Sequence, residues 1–174
     1  MKSFQSLSVT LILMIAFAAC TNNDSDKEPA KNTDAAMATT VNESDATLQK
    51  YEANKKLVAD FTQSLYANKD SNAIDKYIAD NIIEHNPLLQ DGKAWLETTL
   101  RPFLENPNIE KSKIDITQIA ADGDKVWVLM REVAPNGSVF ARAEIFRIEN
   151  GKIAEHWLVT EPQPKKSANK NTMF

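Results

Sequence analysis

Four residues of this chain have the side chains needed for proton transfer and lie in stretches that a fold can bring together. The only histidines are His85, in NIIEHNP, and His156, in NGKIAEHWLVTEP, while Arg142 and Glu144 lie in VFARAEIFRIE. Imidazole and carboxylate groups act as general acids and bases when they reach one substrate. Because neither histidine has H-x-H or H-E-x-x-H spacing, we predict no metal site from His85, His156 and Glu144.

The hairpin that joins the last two strands determines whether these side chains can meet. Alternation along a strand gives His156 the same face as Leu158, and Arg142 the same face as Glu144. The Asn-Gly pair between the strands predicts a tight turn, which sets Glu144 opposite residue 157 or 158. We therefore expect a carboxylate, an imidazole and a guanidinium at the floor of one pocket.

Further side chains are expected to complete this pocket. His85 and Asn86 precede a proline and are predicted to enter from the pocket mouth. Alternatively, Asn86 hydrogen-bonds to its own backbone. Trp127 and Trp157 could instead belong to the core or to a dimer surface. The predicted ligand-pocket residues are Asn86, Arg142, Phe146, Leu158, Trp127 and Phe140.

The candidate catalytic residues, Glu144, His156 and His85, also have structural interpretations. His156 is then a core histidine that hydrogen-bonds to Glu144 or to a backbone group. Glu144 is then the ion-pair partner of Arg142 or Arg131, since a buried carboxylate needs such a partner. His85 then only fixes the turn before the proline.

Helices come first along the chain and strands follow, which predicts an α+β fold. Apolar residues at helical spacing indicate a first helix from Leu48 to Leu65, and a short second helix follows. Asp91 is expected to cap a third helix, whose buried face is predicted to comprise Trp95, Leu96, Thr99, Leu100 and Phe103. The turns DGDK, PNGS and ENGK then separate antiparallel strands, so three helices should pack on one face of a curved sheet.

The N-terminal sequence indicates export and lipid attachment. Lys2 precedes an uncharged, mostly apolar run from Leu7 to Ala19, which is too short to span a bilayer as a mature helix. The small residues before Cys20 resemble the bacterial lipoprotein signal, in which the cysteine is lipidated and becomes the first mature residue. The alternative is a plain secretory signal that leaves Cys20 free. The prediction is a lipoprotein anchored to a membrane of the bacterial cell envelope.

The remaining composition is that of one domain between polar segments. A length of 174 residues and a net charge of −4 fit a single domain and give no basic surface for nucleic acid. Glycine is scarce and no glycine-rich phosphate motif or CxxC pair occurs, so no cofactor is predicted. We predict a signal peptide at 1–19, a disordered tether at 20–46, a folded domain at 47–162 and a disordered tail at 163–174.

The folded region resembles the SnoaL-like proteins of the nuclear transport factor two and ketosteroid isomerase superfamily. The most specific matches are HNP after the second helix and the run IFR-x-ENGKI-x-EHW, and ANKKLVADFTQSLYANKD agrees at the start of the domain. The resemblance implies a cone-shaped α+β domain that encloses a pocket between sheet and helices and forms a homodimer through the sheet. It also implies, for the cyclases of this family, an acidic residue of the last strand that acts without metal or cofactor in an aldol-type ring closure.

Leu158 occupies the position where this resemblance implies the catalytic acid. Relatives read EHWD and DIFR where this chain reads EHWL and EIFR. An isobutyl group cannot move a proton, whereas Glu144 keeps a carboxylate, and an apolar neighbour would raise the pKa of that carboxylate toward a useful range.

Two hypotheses follow from the family resemblance and from the difference at Leu158. One is a membrane-tethered, non-catalytic module that binds a small hydrophobic molecule or a partner. The other is a cofactor-free cyclase or isomerase in which Glu144 is the base, Arg142 tunes it, and His156 and His85 hydrogen-bond to the enolate.

Overall fold

A computed structural model describes residues 33–174, and the predicted signal peptide and Cys20 lie outside this range. The helices and helical turns, which precede most of the sheet, are α1 (Thr33–Thr62), a first π-helical turn (Gln63–Ala67), α2 (Asn72–Tyr77), α3 (Lys93–Trp95), a second π-helical turn (Leu96–Leu100) and α4 (Arg101–Glu105). The strands are β1 (Ile78–Glu84), β2 (Lys113–Asp122), β3 (Lys125–Val133), β4 (Val139–Glu149) and β5 (Lys152–Pro162). No helix in this range is long and apolar enough to cross a bilayer.

The described strands form one five-stranded sheet in the order β1-β5-β4-β3-β2. Strands β2 to β5 follow one another as antiparallel neighbours, as the sequence predicts. Strand β1 runs parallel to β5, which is possible because the rest of the chain forms the long connection that a parallel pair requires. The expected α+β class, with helices on a mostly antiparallel sheet, is confirmed.

The hairpin between β4 and β5 has the predicted register. Asn150 and Gly151 have φ values of 51° and 71°, the left-handed conformation that an Asn-Gly hairpin turn requires. Beyond the turn Ile148 pairs with Ile153, and a β-bulge then shifts the register by one residue, so that Glu144 lies opposite Leu158. The sequence-based pairing of Glu144 with residue 157 or 158 is therefore confirmed.

The helices cover one face of the sheet, which we call the inner face, and the core lies between them. Phe61 of α1 is central to this core, with edge contacts to Tyr66, Tyr77 and Phe146 at centroid distances of 5.7 to 6.0 Å. Burial of each such apolar side chain contributes about 1.5–3 kcal/mol to folding. The buried strand residues that face these helices include Val126, Val128, Met130, Phe146, Ile148 and Ile153.

The first helix begins earlier than the sequence reading expects. Helix α1 starts at Thr33, so the later part of the predicted tether at 20–46 is helical in the structure. The stretch TDAAMATT is rich in alanine, and the chain has no glycine or proline between Pro29 and Pro87, so local propensity favours helix without an apolar face. The predicted tail at 163–174 contains no helix or strand.

The predicted third helix consists of three short segments, and its buried face differs from the prediction. Asp91 does not cap it: Gly92, with φ 87°, is the capping residue, and Asp91 Oδ1 accepts the last backbone N–H of β1 at 2.7 Å. Thr99 and Phe103 are exposed, and Leu104 is buried in their place. The cause is the second π-helical turn, whose i→i+5 bonds take in one residue more than α-helical bonds and so rotate the following face.

Candidate functional site

A small cavity lies between the inner face of the sheet and the helical layer. It has a volume of about 120 Å³. Its walls are mostly apolar and come from α1, both π-helical turns, β1, β4 and β5, including Phe61, Leu65, Ile82, Leu96, Phe146 and Leu158. Its polar lining consists of Glu84, Asn86, Arg142 and His156, with the phenol of Tyr66. We call this space the inner cavity.

The predicted pocket residues divide between this cavity and other parts of the fold. Asn86, Arg142, Phe146 and Leu158 line the inner cavity, as do the helical residues opposite them. Phe140 does not border it and lies half-buried near the start of β4.

The prediction that Trp127 lines the pocket is wrong, because Trp127 lies on the opposite, outer face of the sheet. Its side chain is 38% exposed, while its neighbours Val126 and Val128 are buried against the helices. The alternation of β3 therefore excludes Trp127 from the inner cavity.

His85 also lies on the outer face, away from the inner cavity. Its Nε2 is 2.8 Å from Glu155 Oε1, and its ring stacks on Trp157 at a centroid distance of 4.5 Å. The reason is the parallel pairing of β1 with β5: Glu84 lies opposite His156, so the next residue of the chain projects to the other side. The backbone N–H of His85 donates to the carbonyl of His156 at 2.9 Å, yet the two imidazoles do not share a cavity.

His156 is buried between two carboxylates. Its Nδ1 lies 2.9 Å from each carboxylate oxygen of Glu84, and its Nε2 faces Glu144 Oε2 at 3.5 Å. Burial alone lowers the pKa of His156, but hydrogen bonding and charge from Glu144 and Glu84 outweigh burial and raise this pKa to about 9. The side chain is therefore an imidazolium at neutral pH.

Glu144 is enclosed behind the residues that line the inner cavity. Its side chain is fully buried, accepts hydrogen bonds from Arg142 Nε at 2.9 Å and from Arg142 Nη2, and does not border the cavity. Burial alone raises the pKa of Glu144, but the hydrogen bond from His156 and the charge of Arg142 more than offset it, so the pKa lies below its ordinary value. The expectation that Leu158 raises this pKa is wrong, because two adjacent cations dominate over one apolar neighbour.

Arg142 connects this cluster to a third carboxylate and to an aromatic ring. Its Nη1 lies 2.9 Å from Glu132 Oε2, and its guanidinium lies 4.5 Å from the centre of the Tyr66 ring. Burial, followed by the charge of Glu144, raises the pKa of Tyr66 well above its ordinary value, so the phenol is neutral. Three carboxylates and two cations thus form one paired cluster with a net charge of −1.

Sequence reasoning missed Glu84, the carboxylate that lines the inner cavity. Glu84 is bound to His156 and accepts the backbone N–H of Asn86 at 2.9 Å. A signal was present, since both histidines follow a glutamate in an Ile-x-Glu-His pattern. Only the pairing of β1 with β5 brings the first glutamate to the second histidine, and local sequence does not encode this pairing.

The arrangement can hold a small molecule and can hold a proton. An apolar cavity of about 150 Å³ accommodates benzene, so the apolar walls and the volume of about 120 Å³ suit an apolar body no larger than a single ring. Arg142 has five N–H donors, and its contacts with Glu144 and Glu132 use three of them, so two remain for an oxygen of a ligand. Glu84 accepts a hydrogen bond from His156 Nδ1 at the wall of the same cavity.

Comparison with known proteins places this geometry in a family. The family model of the SnoaL-like domain matches residues 58–156. A search of curated proteins finds no match. An LEH-like epoxide hydrolase from M. tuberculosis has a similar structure, with a TM-score of 0.54, 17% identity, and coverage of 64% of this chain and 85% of that one.

Two further solved structures have the same fold. A protein from Acidithiobacillus ferrooxidans, proposed to be a polyketide cyclase, has a TM-score of 0.52 and 20% identity, with coverage of 63% of this chain and 88% of that one. An NTF2-like protein of unknown function from Burkholderia xenovorans LB400 has a TM-score of 0.54 and 20% identity, with coverage of 67% and 89%. At such identities, structural likeness establishes the fold, and the family model establishes the family. The chain belongs to the SnoaL-like family and has the NTF2-like fold.

Proposed function

We propose that this domain is a membrane-tethered module that binds a small, mostly apolar molecule in the inner cavity, without the catalytic acid of the last strand. One observation carries the proposal: the cavity walls are apolar, and the charged groups at its polar end are already paired with one another. Leu158 adds an apolar wall where a cyclase of the family would need a carboxylate.

The pairing of the carboxylates argues against a free base in this cavity. A general base must approach the proton it removes to about 2.6–3.2 Å. Glu144 is separated from the cavity by Arg142 and His156 and is ionised by its two cationic neighbours. The hypothesis that Glu144 is the base therefore lacks the geometry it needs.

The ligand class follows from the lining. An apolar ring or short chain fits the walls, and a carbonyl or hydroxyl oxygen can accept the two N–H donors that remain on Arg142. A strongly anionic ligand is not favoured, because Glu84 and Glu144 already balance His156 and Arg142.

Filling the cavity tests the proposal. Phenol binding to the purified domain, measured by calorimetry, should be lost in Leu158→Trp, whose larger side chain occupies the inner cavity. Val159→Trp is the matched control, because Val159 is the next residue of β5 and is 70% exposed. Equal phenol binding by the wild type and Leu158→Trp, with both folded, would reject the proposal.

A second function, cofactor-free proton transfer beside a carbonyl, is supported by one specific observation. Glu84 and His156 both line the inner cavity and hydrogen-bond to each other, so a carboxylate and an imidazolium lie at one wall. The measurement is deuterium exchange at the α-carbon of a simple ketone. Proton transfer by a positioned group contributes about 10²–10⁴-fold, so Glu84→Gln should lose that factor if this pair is catalytic. Exchange that survives in Glu84→Gln excludes Glu84 as the base.

Two further parts of the proposal concern the surroundings of the domain. A lipid on Cys20 would hold it at the membrane, with the chain between Cys20 and α1 as the connection. A homodimer through the outer face of the sheet is supported by the apolar side chains there, which include Trp127, Ile145, Trp157 and Val159.

A further inference from the structure

A second cavity, of about 180 Å³, adjoins the inner cavity. We call it the outer cavity. Four residues, Leu65, Tyr66, Leu100 and Arg142, border both spaces. The two cavities are therefore separated by a wall that is one layer of side chains thick.

The helical part of this wall is built from both π-helical turns. Leu65 and Tyr66 lie on the first turn (Gln63–Ala67), and Leu100 lies on the second (Leu96–Leu100). Single π-helical turns inside α-helices recur at functional sites, where they re-aim side chains. Here they direct three side chains from two different helices into one partition.

Tyr66 is the aromatic side chain of the partition. Arg142 is held in place by ion pairs with two carboxylates, Glu144 and Glu132. The Tyr66 ring is held by aromatic contacts, at 4.5 Å from the Arg142 guanidinium and 5.8 Å from the Phe61 centroid. A change of rotamer at Tyr66 would give up its contacts with Glu144 and Arg142, would leave the ion pairs of Arg142 in place, and would join the two cavities.

The sizes of the cavities support a joint site. The inner cavity alone, at about 120 Å³, is below the range of ligand pockets, which begins at about 300 Å³. With the outer cavity of about 180 Å³ the volume reaches about 300 Å³. A single ring fits the inner cavity alone, whereas a larger ligand requires both.

The outer cavity has a different chemical character from the inner one. Its polar lining includes Lys69, Glu110, Ser112 and Glu132, together with Arg142. Two cations and two carboxylates balance in charge, so this lining favours a neutral hydrogen-bonding group over an ion. Lys69 already donates to two backbone carbonyls, at 2.8 and 2.6 Å, which leaves it one donor.

We infer that the two cavities form one bipartite site, partitioned by Tyr66, for an elongated amphiphile with an apolar body in the inner cavity and a neutral polar end in the outer cavity. This inference rests on the proposed ligand-binding function and adds the shape and polarity of the ligand. It assigns the partition to Tyr66 and adds Lys69, Glu110 and Ser112, which the proposed function does not use, to the polar contacts of the site.

Two probes of different length test the inference. Phenol fits the inner cavity, and 4-phenylphenol is long enough to require both. Ser112→Phe fills the outer cavity, and Lys113→Phe is the matched control, since Lys113 is the next residue and is exposed. By calorimetry, Ser112→Phe should weaken 4-phenylphenol binding about tenfold or more and leave phenol binding unchanged, while Lys113→Phe should change neither.

A second pair of variants tests the partition itself. Tyr66→Ala should tighten 4-phenylphenol binding relative to Tyr66→Phe, which keeps the ring. If phenol binds but the affinity for 4-phenylphenol is unchanged in Ser112→Phe, the bipartite site is overturned and the proposed function stands. Absence of binding by both probes to the folded wild type overturns the proposed function and this inference together.

Discussion

His156 Nδ1 lies 2.9 Å from both carboxylate oxygens of Glu84, and this contact joins the edge strand β1 to β5 inside the core. On its other side His156 faces Glu144. The histidine of the last strand is thus paired with two glutamates and not with His85. The finding explains why the cavity has a polar end without an unpaired charge.

Stability should fall as the pH rises from about 6.5 to about 9. The pKa of His156 is raised from its ordinary 6.5 to about 9 in the folded protein, so the imidazolium is favoured by folding. Its contribution is complete below pH 6.5 and is lost as the pH rises through 9. The loss is on the order of 3 kcal/mol, because each pKa unit corresponds to about 1.4 kcal/mol. Urea unfolding between pH 6 and 10 measures it.

The matched variants for this prediction are His156→Asn and His85→Asn. The decline should disappear in His156→Asn and persist in His85→Asn, because the outer-face imidazole is not part of the buried cluster. A wild-type unfolding free energy that stays flat across this pH interval would show that His156 is neutral.

Glu84→Gln should destabilise the fold far more than Glu155→Gln. Both glutamates pair with a histidine, but the Glu84 and His156 side chains are 3% and 7% exposed, whereas the side chain of His85, the partner of Glu155, is 40% exposed. Removing one member of a buried pair costs about 3–5 kcal/mol, and a surface pair is worth about 0–1 kcal/mol. Chemical denaturation of the two variants gives the comparison, and similar losses would contradict the buried assignment. The Glu84 variant should also lower the pKa of His156, as seen by NMR.

Leu158→Asp should confer α-proton exchange on a simple ketone. Leu158 lines the inner cavity, so a carboxylate there would face the cavity at the position where the family resemblance implies the catalytic acid. Burial would raise the pKa of this carboxyl and make it a stronger base. Deuterium incorporation by NMR is the readout, and Leu158→Asn is the control of equal size without an acid. No gain over Leu158→Asn in folded protein would mean that the cavity never supported this chemistry.

Trp127→Glu should reduce the molar mass of the particle in solution to that of a monomer. Trp127 lies on the outer face, through which we predict the homodimer, and a charge there would have to be desolvated on association. Size-exclusion chromatography with light scattering measures the mass. Leu88→Glu, at an exposed loop residue that is not among the apolar side chains of this face, should leave the mass unchanged. A wild type that is already monomeric would refute the dimer prediction.

Cys20→Ser should release the full-length protein from the membrane fraction. The prediction depends on lipid attachment to this cysteine, since two or more acyl chains give a stable anchor where one does not. Fractionation of cells followed by immunoblotting detects the change. Thr21→Ser serves as the control and should remain with the membrane. Retention of the Cys20 variant in the membrane would mean that another feature anchors the chain.

The predictions that depended on local chemistry match the structure. The Asn-Gly turn begins the β4–β5 pairing as predicted, but Arg142, Glu144 and His156 share one face only because a β-bulge beside the turn shifts the register by one residue. The strand boundaries followed from turn residues and apolar alternation in the same way. These features depend on interactions between residues close in sequence, so the local sequence pattern is sufficient to predict them.

The predictions that failed depended on contacts between distant segments or on backbone irregularity. Placing His85 required the parallel pairing of β1 with β5, which no local pattern specifies. Exposure of Phe103 required the second π-helical turn, for which the sequence gives no signal beyond a nearby proline. The pKa of Glu144 depended on two cations held against it by the folded sheet, and the sequence supplies only their identities.

Strand β1 supplies Glu84, and its place at the sheet edge has a consequence for how the site opens. The pairing of β1 with β5 is interrupted between Ile78 and Ile83, so few backbone bonds hold the strand in place. The amide protons of β1, whose pairing with its single neighbour is interrupted, should exchange through local opening. The free energy of this opening should be lower than that at the centre of the β3–β4 pair. Each local opening of β1 would take the carboxylate of Glu84 away from His156 and expose the inner cavity to water. The rate of this opening would then set the rate at which a ligand enters and leaves the cavity.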